Sequence, residues 1–214
     1  MPFLSQPSMV LNDSRMQRDK FPMMQMWNSW LVPATAGPSA VFGHINNVIA
    51  SAPGRFLKNL IFHGHGDSGG VNIGSLRIGV NCESHFKRLG GKVEHIWFVS
   101  CQTASNVQID CVTSRQAEHR VASDRRLRQG ARNAGLTARS FVRQRVFSGS
   151  YFCRMVAVAA NCNVTASYDI QYGGPEIANS GFLPYGVIES FEGVVMTWSP
   201  SGVPGAPQFY AGPR

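Results

Sequence analysis

The sequence predicts an α/β fold: an open, mostly parallel sheet flanked by helices, with a C-terminal β-hairpin. Three observations carry this. Short apolar runs of strand length recur at Leu60-Ile61-Phe62, Ile96-Trp97-Phe98-Val99 and Val164-Thr165-Ala166-Ser167. Helix-compatible segments lie between them, which is the pattern of strand–helix–strand units. Near the end, Val187–Phe191 and Val194–Trp198 flank Glu192-Gly193, a two-residue hairpin turn.

Taken in order, residues 1–25 hold scattered Met, Gln and Asp and read as a loose N-terminal arm. Trp27–Val32 is the first expected strand. Pro38-Ser39 opens a helix through Ile49, because Val41, Ile45, Val48 and Ile49 recur at helical spacing. Ser51-Ala52-Pro53-Gly54 ends it. The run through Phe62 then stops at His63-Gly64-His65-Gly66, as a buried strand does at a sheet edge. Residues 71–80 alternate with glycines and predict a small hairpin. A short helix is expected over Cys82–Leu89, ended by Gly90-Gly91, before the strand that runs into Ser100-Cys101. Tyr151–Ala160 is apolar and helix-compatible, and Val164–Ser167 follows as a strand. The main domain therefore spans 26–198, and 199–214 reads as a Pro/Gly-rich tail.

The 214 residues are enough for a sizeable core, and 43% hydrophobic with 15% charged residues fits a folded chain. No apolar run approaches the roughly 20 residues that span a bilayer, so no membrane partner is expected. The N-terminus lacks a positive cluster followed by an apolar stretch, so the location expected is cytoplasmic, or exported without a classical signal. Five cysteines without CxxC spacing argue for reduced thiols rather than a disulfide framework. The net charge of +8 is concentrated: nine arginines between Thr113 and Val146, against Glu118 and Asp124, give that insertion +7. Clustered arginine suits phosphate backbones, but Phe141 is the lone aromatic there, so nucleic acid is not the expected partner.

The chemistry lies at two strand ends. One delivers His63 and His65, the next delivers Cys101. An imidazole beside a thiol is a cysteine nucleophile system, since the thiolate is the attacking species and the imidazole takes its proton. Cys101 alone reads as a small packed residue; the His-Gly turn one helix upstream changes that reading. His65 is preferred to His63 as the base, because glycine flanks it and it lies further past the strand. The N–H groups of Gly66 and Cys101 supply an oxyanion hole. Cys82, Cys111, Cys153 and Cys162 are expected in packing.

LIFHGHGDSGG followed by HIWFVSCQTAS resembles the caspase-like cysteine peptidases: caspases, metacaspases, separases and self-cleaving toxin protease domains. In that group an apolar strand ends in His-Gly and the next ends in the nucleophilic Cys; His65 and Cys101 match those positions. The resemblance covers about residues 27 to 198 and implies a caspase-like sheet, peptide-bond hydrolysis of a protein or peptide substrate, and no required cofactor. Val164–Gln171 resembles the metacaspase strand whose Asp lines a pocket for a basic side chain. Asp169 takes that role, with Gln171 beside it. Asp67 and Asp110 are further candidates for shaping the cleft. Cleavage after Arg or Lys would make the Arg-rich insertion a target of self-processing. The residues after Cys101, Gln-Thr-Ala-Ser, depart from the better-known branches, and the insertion has no counterpart there.

Two alternatives use the same residues. His63-x-His65-x-Asp67 resembles the metal-binding run of metallo-β-lactamase-like hydrolases, and two imidazoles with a carboxylate suit zinc. That family expects a further His after the Asp, where this chain has Ser68, and His85, His95 and His119 lack the Gly-rich settings of later ligands. The non-enzymatic alternative is a silent caspase-like module that binds a partner through the basic insertion.

Overall fold

The computed structural model describes residues 2–19, 21–67, 69–100, 103–104, 148–168, 181–188, 191 and 193–210. In chain order the elements are β1 (Ser8–Asp13), α1 (Ser14–Arg18), β2 (Asn28–Val32), α2 (Pro38–Ser51), β3 (Leu57–His63), β4 (Gly66–Asp67), β5 (Gly70–Ile73), β6 (Leu76–Ile78), α3 (Glu83–Lys87), β7 (Val93–Val99), α4 (Ser148–Ala160), β8 (Asn163–Ser167), β9 (Gly193–Trp198) and β10 (Gln208–Tyr210).

A seven-stranded sheet runs β10-β9-β8-β7-β3-β1-β2, and β4-β5-β6 form a separate three-stranded one. From β2 to β8 every neighbouring pair is parallel, whereas β9 and β10 are antiparallel to their neighbours. The chain moves outward from β1 to β2, then crosses back to β3 and proceeds the other way. The sheet therefore has a topological switch point between β1 and β3, where open α/β sheets place their ligand crevice.

The strands alternate their buried residues between two cores. Met9, Leu11, Leu60, Phe62, Ile96, Phe98, Val164 and Ala166 face α2, α3 and α4. Helix α2 presents Val41, Phe42, Ile45, Val48 and Ile49 as one stripe, with Pro38 preset for its first turn. Helix α4 buries Phe152, Cys153, Val156, Ala157 and Ala160. Phe86 of α3 meets Phe62, Phe98 and Phe152 edge-on at ring separations of 6.1, 6.5 and 6.4 Å, an arrangement aromatic quadrupoles favour. The opposite sheet face carries Val10, Ile61, Val99 and Val195, covered by Leu4, Met24, Met26, Leu183, Ile188 and Phe191.

Three expectations are corrected. The N-terminal arm contains β1, all six residues of which are buried, between β2 and β3. Its polar ends are paid for by hydrogen bonds rather than by solvent: Ser8 Oγ donates to Ser5 O (2.6 Å) and Asn12 Nδ2 to Met24 O (2.9 Å). Val187–Phe191 is not the hairpin partner of Val194–Trp198. Val187 makes one bridge to Phe3, while β9 pairs with β8 and β10. The tail read as irregular supplies β10. The Arg-rich insertion lies outside the described residues.

Candidate functional site

The carboxyl ends of β1, β3, β7 and β8 lie side by side, and the loops leaving them are stitched together by backbone. Gly64 N–H donates to Val99 O (3.4 Å), Gly69 N–H to Thr103 O (3.1 Å) and Ala104 N–H to Ser167 O (2.9 Å). Ser100 and Thr103 hydroxyls are 2.5 Å apart, and Thr103 Oγ1 donates to Gly70 O (3.4 Å), so Ser100 is the donor of the pair.

Gly64 explains the spacing of the two histidines. A Cβ there would stand 2.4 Å from the Asn72 carbonyl oxygen. The hairpin β4–β5 can fold back over the end of β3 only because this residue has no side chain. Asn72 N–H then donates to His65 O (2.8 Å), which fixes the backbone of His65. Gly66 pairs with Val71 and Asp67 with Gly70. Because the ladder bond is at His65–Asn72, Gly66 is a non-bonded pair and its N–H is turned away from β5.

His63 and His65 have opposite environments. His63 is fully buried at the end of β3, with Nδ1 2.8 Å from Asn12 Oδ1. Asn12 Nδ2 donates to Met24 O and Oδ1 accepts from Met24 N–H (3.2 Å), so the amide orientation is fixed. Oδ1 must accept from His63 as well, which makes Nδ1 the protonated nitrogen of that ring. Burial, with a smaller contribution from the nearby His65, lowers its pKa to about 4. His63 is thus a neutral imidazole that ties β3 to β1.

His65 is on the surface, its side chain 38% exposed. Its Nε2 is 2.8 Å from Asp19 Oδ2, and Phe21 stands edge-on to its ring at 5.7 Å. Asp19 caps α1, its N–H donating to Arg15 O, and its other oxygen accepts from Arg18 Nε (3.1 Å). Arg18 and His65 hold the Asp19 carboxyl below its usual pKa.

The base of α1 is anchored by Asp13. Its fully buried carboxylate accepts from Arg15 N–H (2.9 Å), Arg15 Nε (2.6 Å), Arg15 Nη2 (2.8 Å) and Gly74 N–H (2.7 Å). Arg15 Nη2 also donates to Gly74 O (2.9 Å). The clamp joins β1 and α1 to the β5–β6 turn. Asp67, in contrast, is half-exposed and ion-paired with Arg77 across the small sheet.

No family model, curated protein or solved structure matches this chain. The site is therefore read from its own geometry. Cys101, Asp110, Asp169, Gln171, Cys111 and His119 lie outside the described residues. The HxHxD run does not converge: His63 bonds Asn12, His65 bonds Asp19 and Asp67 pairs with Arg77. Among the described residues no three His, Cys, Asp or Glu side chains are grouped as a metal site. His85 stacks on Phe42 at 4.5 Å, and His95 stacks on Trp97 at 4.1 Å with Nε2 2.7 Å from Thr165 Oγ1. Cys82, Cys153 and Cys162 are buried packing residues with free thiols. Among the described residues no helix is long and apolar enough to cross a membrane.

Sequence reasoning missed Asn12, Asp13, Asp19 and Phe21. Asp13 before Ser14-Arg15-Met16 carried a signal, an N-cap residue opening a helix. Nothing local marks Asp19, whose contact with His65 spans 46 residues.

Proposed function

We propose that this chain is a caspase-like cysteine endopeptidase in which Cys101 is the nucleophile and His65 the acid/base. One observation carries the reading. His63 lies opposite Val99 on adjacent parallel strands. His65 follows the end of β3 by two residues, and Cys101 follows the end of β7 by two residues in sequence. The neighbouring ends of β3 and β7, beside the switch point, lead in sequence to His65 and to Cys101, which supports pairing these residues 36 apart in the chain.

In the proposed reaction His65 accepts the Cys101 thiol proton, and the sulfur attacks the scissile carbonyl carbon. The carbonyl oxygen becomes an oxyanion, held by the N–H groups of Gly66 and Cys101. The orientation of the Gly66 N–H away from β5 supports its part. Collapse breaks the C–N bond, and His65 returns its proton to the departing amine. Water, deprotonated by His65, then attacks the thioester, releasing the acid and restoring the thiol. No cofactor enters these steps. Asp169, with Gln171, selects Arg or Lys before the cut. Asp67 is occupied by Arg77, which supports a role in holding the cleft wall rather than meeting substrate. Self-processing within residues 113–146 follows from the same preference.

Labelling with an arginine-directed thiol-reactive peptide probe tests this. Attachment at Cys101, lost in Cys101→Ala and His65→Ala, is expected. Attachment to another cysteine, unchanged in both variants, overturns the assignment. The divergence of the HxHxD side chains leaves the zinc alternative without support.

A further inference from the structure

Both contacts that restrain the His65 ring come from one short stretch, the exit of α1. Asp19 Oδ2 is 2.8 Å from Nε2, and Phe21 stands edge-on to the ring with an interplanar angle of 82°. This stretch is itself held. The Asp19 N–H donates to Arg15 O (2.8 Å), the Phe21 N–H donates to Met16 O (2.9 Å), and Met16 is buried. At the other end of α1, Asp13 fixes Arg15 and the Gly74 turn. A carboxylate only accepts hydrogen bonds, so the atom between Nε2 and Oδ2 is a proton on the imidazole. That choice leaves the lone pair of neutral His65 on Nδ1. Arg18 engages the second carboxylate oxygen, which keeps Oδ2 directed at the ring.

We infer that Asp19 is a positioning residue for His65, setting its tautomer and ring orientation so that Nδ1 is the atom that exchanges a proton with the nucleophile. The inference rests on the peptidase reading and adds a third member to its two-residue centre. Asp19 acts through His65 and touches no reacting atom. The same division of labour, a carboxylate that orients an imidazole without itself being protonated, operates wherever histidine is a general base held by an acid.

The test compares wild type with Asp19→Asn, Asp19→Ala and Asp19→Glu, all as full chains. A fluorogenic tripeptide amide ending in Arg is the substrate. Asp19→Asn and Asp19→Ala are expected to lower kcat by up to about 10⁴-fold, the loss when the carboxylate that sets the tautomer of a general-base imidazole is replaced, with KM little changed. Asp19→Glu restores part of the loss. Ring nitrogen resonances of His65 report one Nε2–H tautomer in wild type and a mixture in Asp19→Ala. Asp19 is on the surface, so melting temperatures stay close to wild type; should Asp19→Ala melt early, the near-isosteric Asp19→Asn carries the comparison. Wild-type kcat in Asp19→Asn and Asp19→Ala, with Cys101 still labelled, overturns the role of Asp19 and leaves the peptidase reading standing. A raised KM with unchanged kcat also overturns it, because Asp19 would then be a substrate contact. A wild-type chain that neither cuts the substrate nor accepts the probe removes both, and a retained Nε2–H tautomer then marks a structural contact alone.

Discussion

Replacing Asp13 by alanine removes four hydrogen bonds at one buried point. Three come from Arg15 at 2.6–2.9 Å and one from Gly74 N–H at 2.7 Å. Loss of the N-cap alone costs about 1 kcal/mol. Breaking a buried ion pair costs about 3–5 kcal/mol when the surviving charge stays buried. The Arg15 side chain is 30% exposed and can turn toward water, so the lower part of that range applies. A total of about 4 kcal/mol corresponds to a fall in Tm of about 8–16 °C for a chain of this size. Asp13→Asn keeps the shape and loses the charge, and should cost about 1–2 kcal/mol. Acid sensitivity separates the two causes. Burial raises the Asp13 carboxyl, but the Arg15 and Gly74 donors outweigh it and hold its pKa below 3.8. Between the folded and unfolded values the unfolded chain binds more protons. Asp13 therefore contributes stability that is fully present above about pH 4 and is lost as pH falls through the folded value. Urea unfolding followed by circular dichroism from pH 7 down to pH 3 measures both effects. An Asp13→Ala protein within about 0.5 kcal/mol of wild type, the spread of ordinary surface changes, or an Asp13→Asn protein with an unaltered acid slope, would refute the clamp.

Gly64→Ala forces a Cβ to within 2.4 Å of the Asn72 carbonyl oxygen; a loss of about 1–3 kcal/mol is expected from overpacking, with the hairpin over β3 showing faster amide exchange than the rest of the sheet. His63 and His95 are both lowered to about 4 by burial, so each contributes stability above about pH 6.5 that fades toward pH 4. The expected slope is on the order of 1 kcal/mol per pH unit for each group, and His95→Asn should remove its share in urea titrations at pH 7, 6 and 5. Burial raises the thiols of Cys82 and Cys153, and raises Cys162 to about 12. Mass spectrometry after mild alkylation at pH 7 should find these three unmodified in the folded protein and modified in urea; rapid labelling of any of them while folded contradicts their packing.

The elements that hydrophobic pattern could announce were legible. Leu60–Phe62 and Ile96–Val99 are continuous apolar runs because both sheet faces are covered. The stripe of Val41, Ile45, Val48 and Ile49 repeats at helical spacing because one face of α2 meets the core. β1 was not legible. Only Met9-Val10-Leu11 is apolar, and Ser8, Asn12 and Asp13 are buried through partners elsewhere in the chain. The pairing of β9 escaped for a related reason: Glu192-Gly193 is a good turn sequence, yet Gly193 opens a strand whose partners are Ser167-side β8 and distant β10.

The sequence by itself determined the α/β class, the strand ends at His63 and Val99, and the residue types gathered after them. Those properties are local, set by apolar run length and by glycine. The tertiary structure alone decided that His63 is a buried tie to Asn12 and that His65 faces Asp19 and Phe21. Which of two histidines is sealed and which is open depends on what other strands bring across the sheet, and no spacing along one chain segment encodes that.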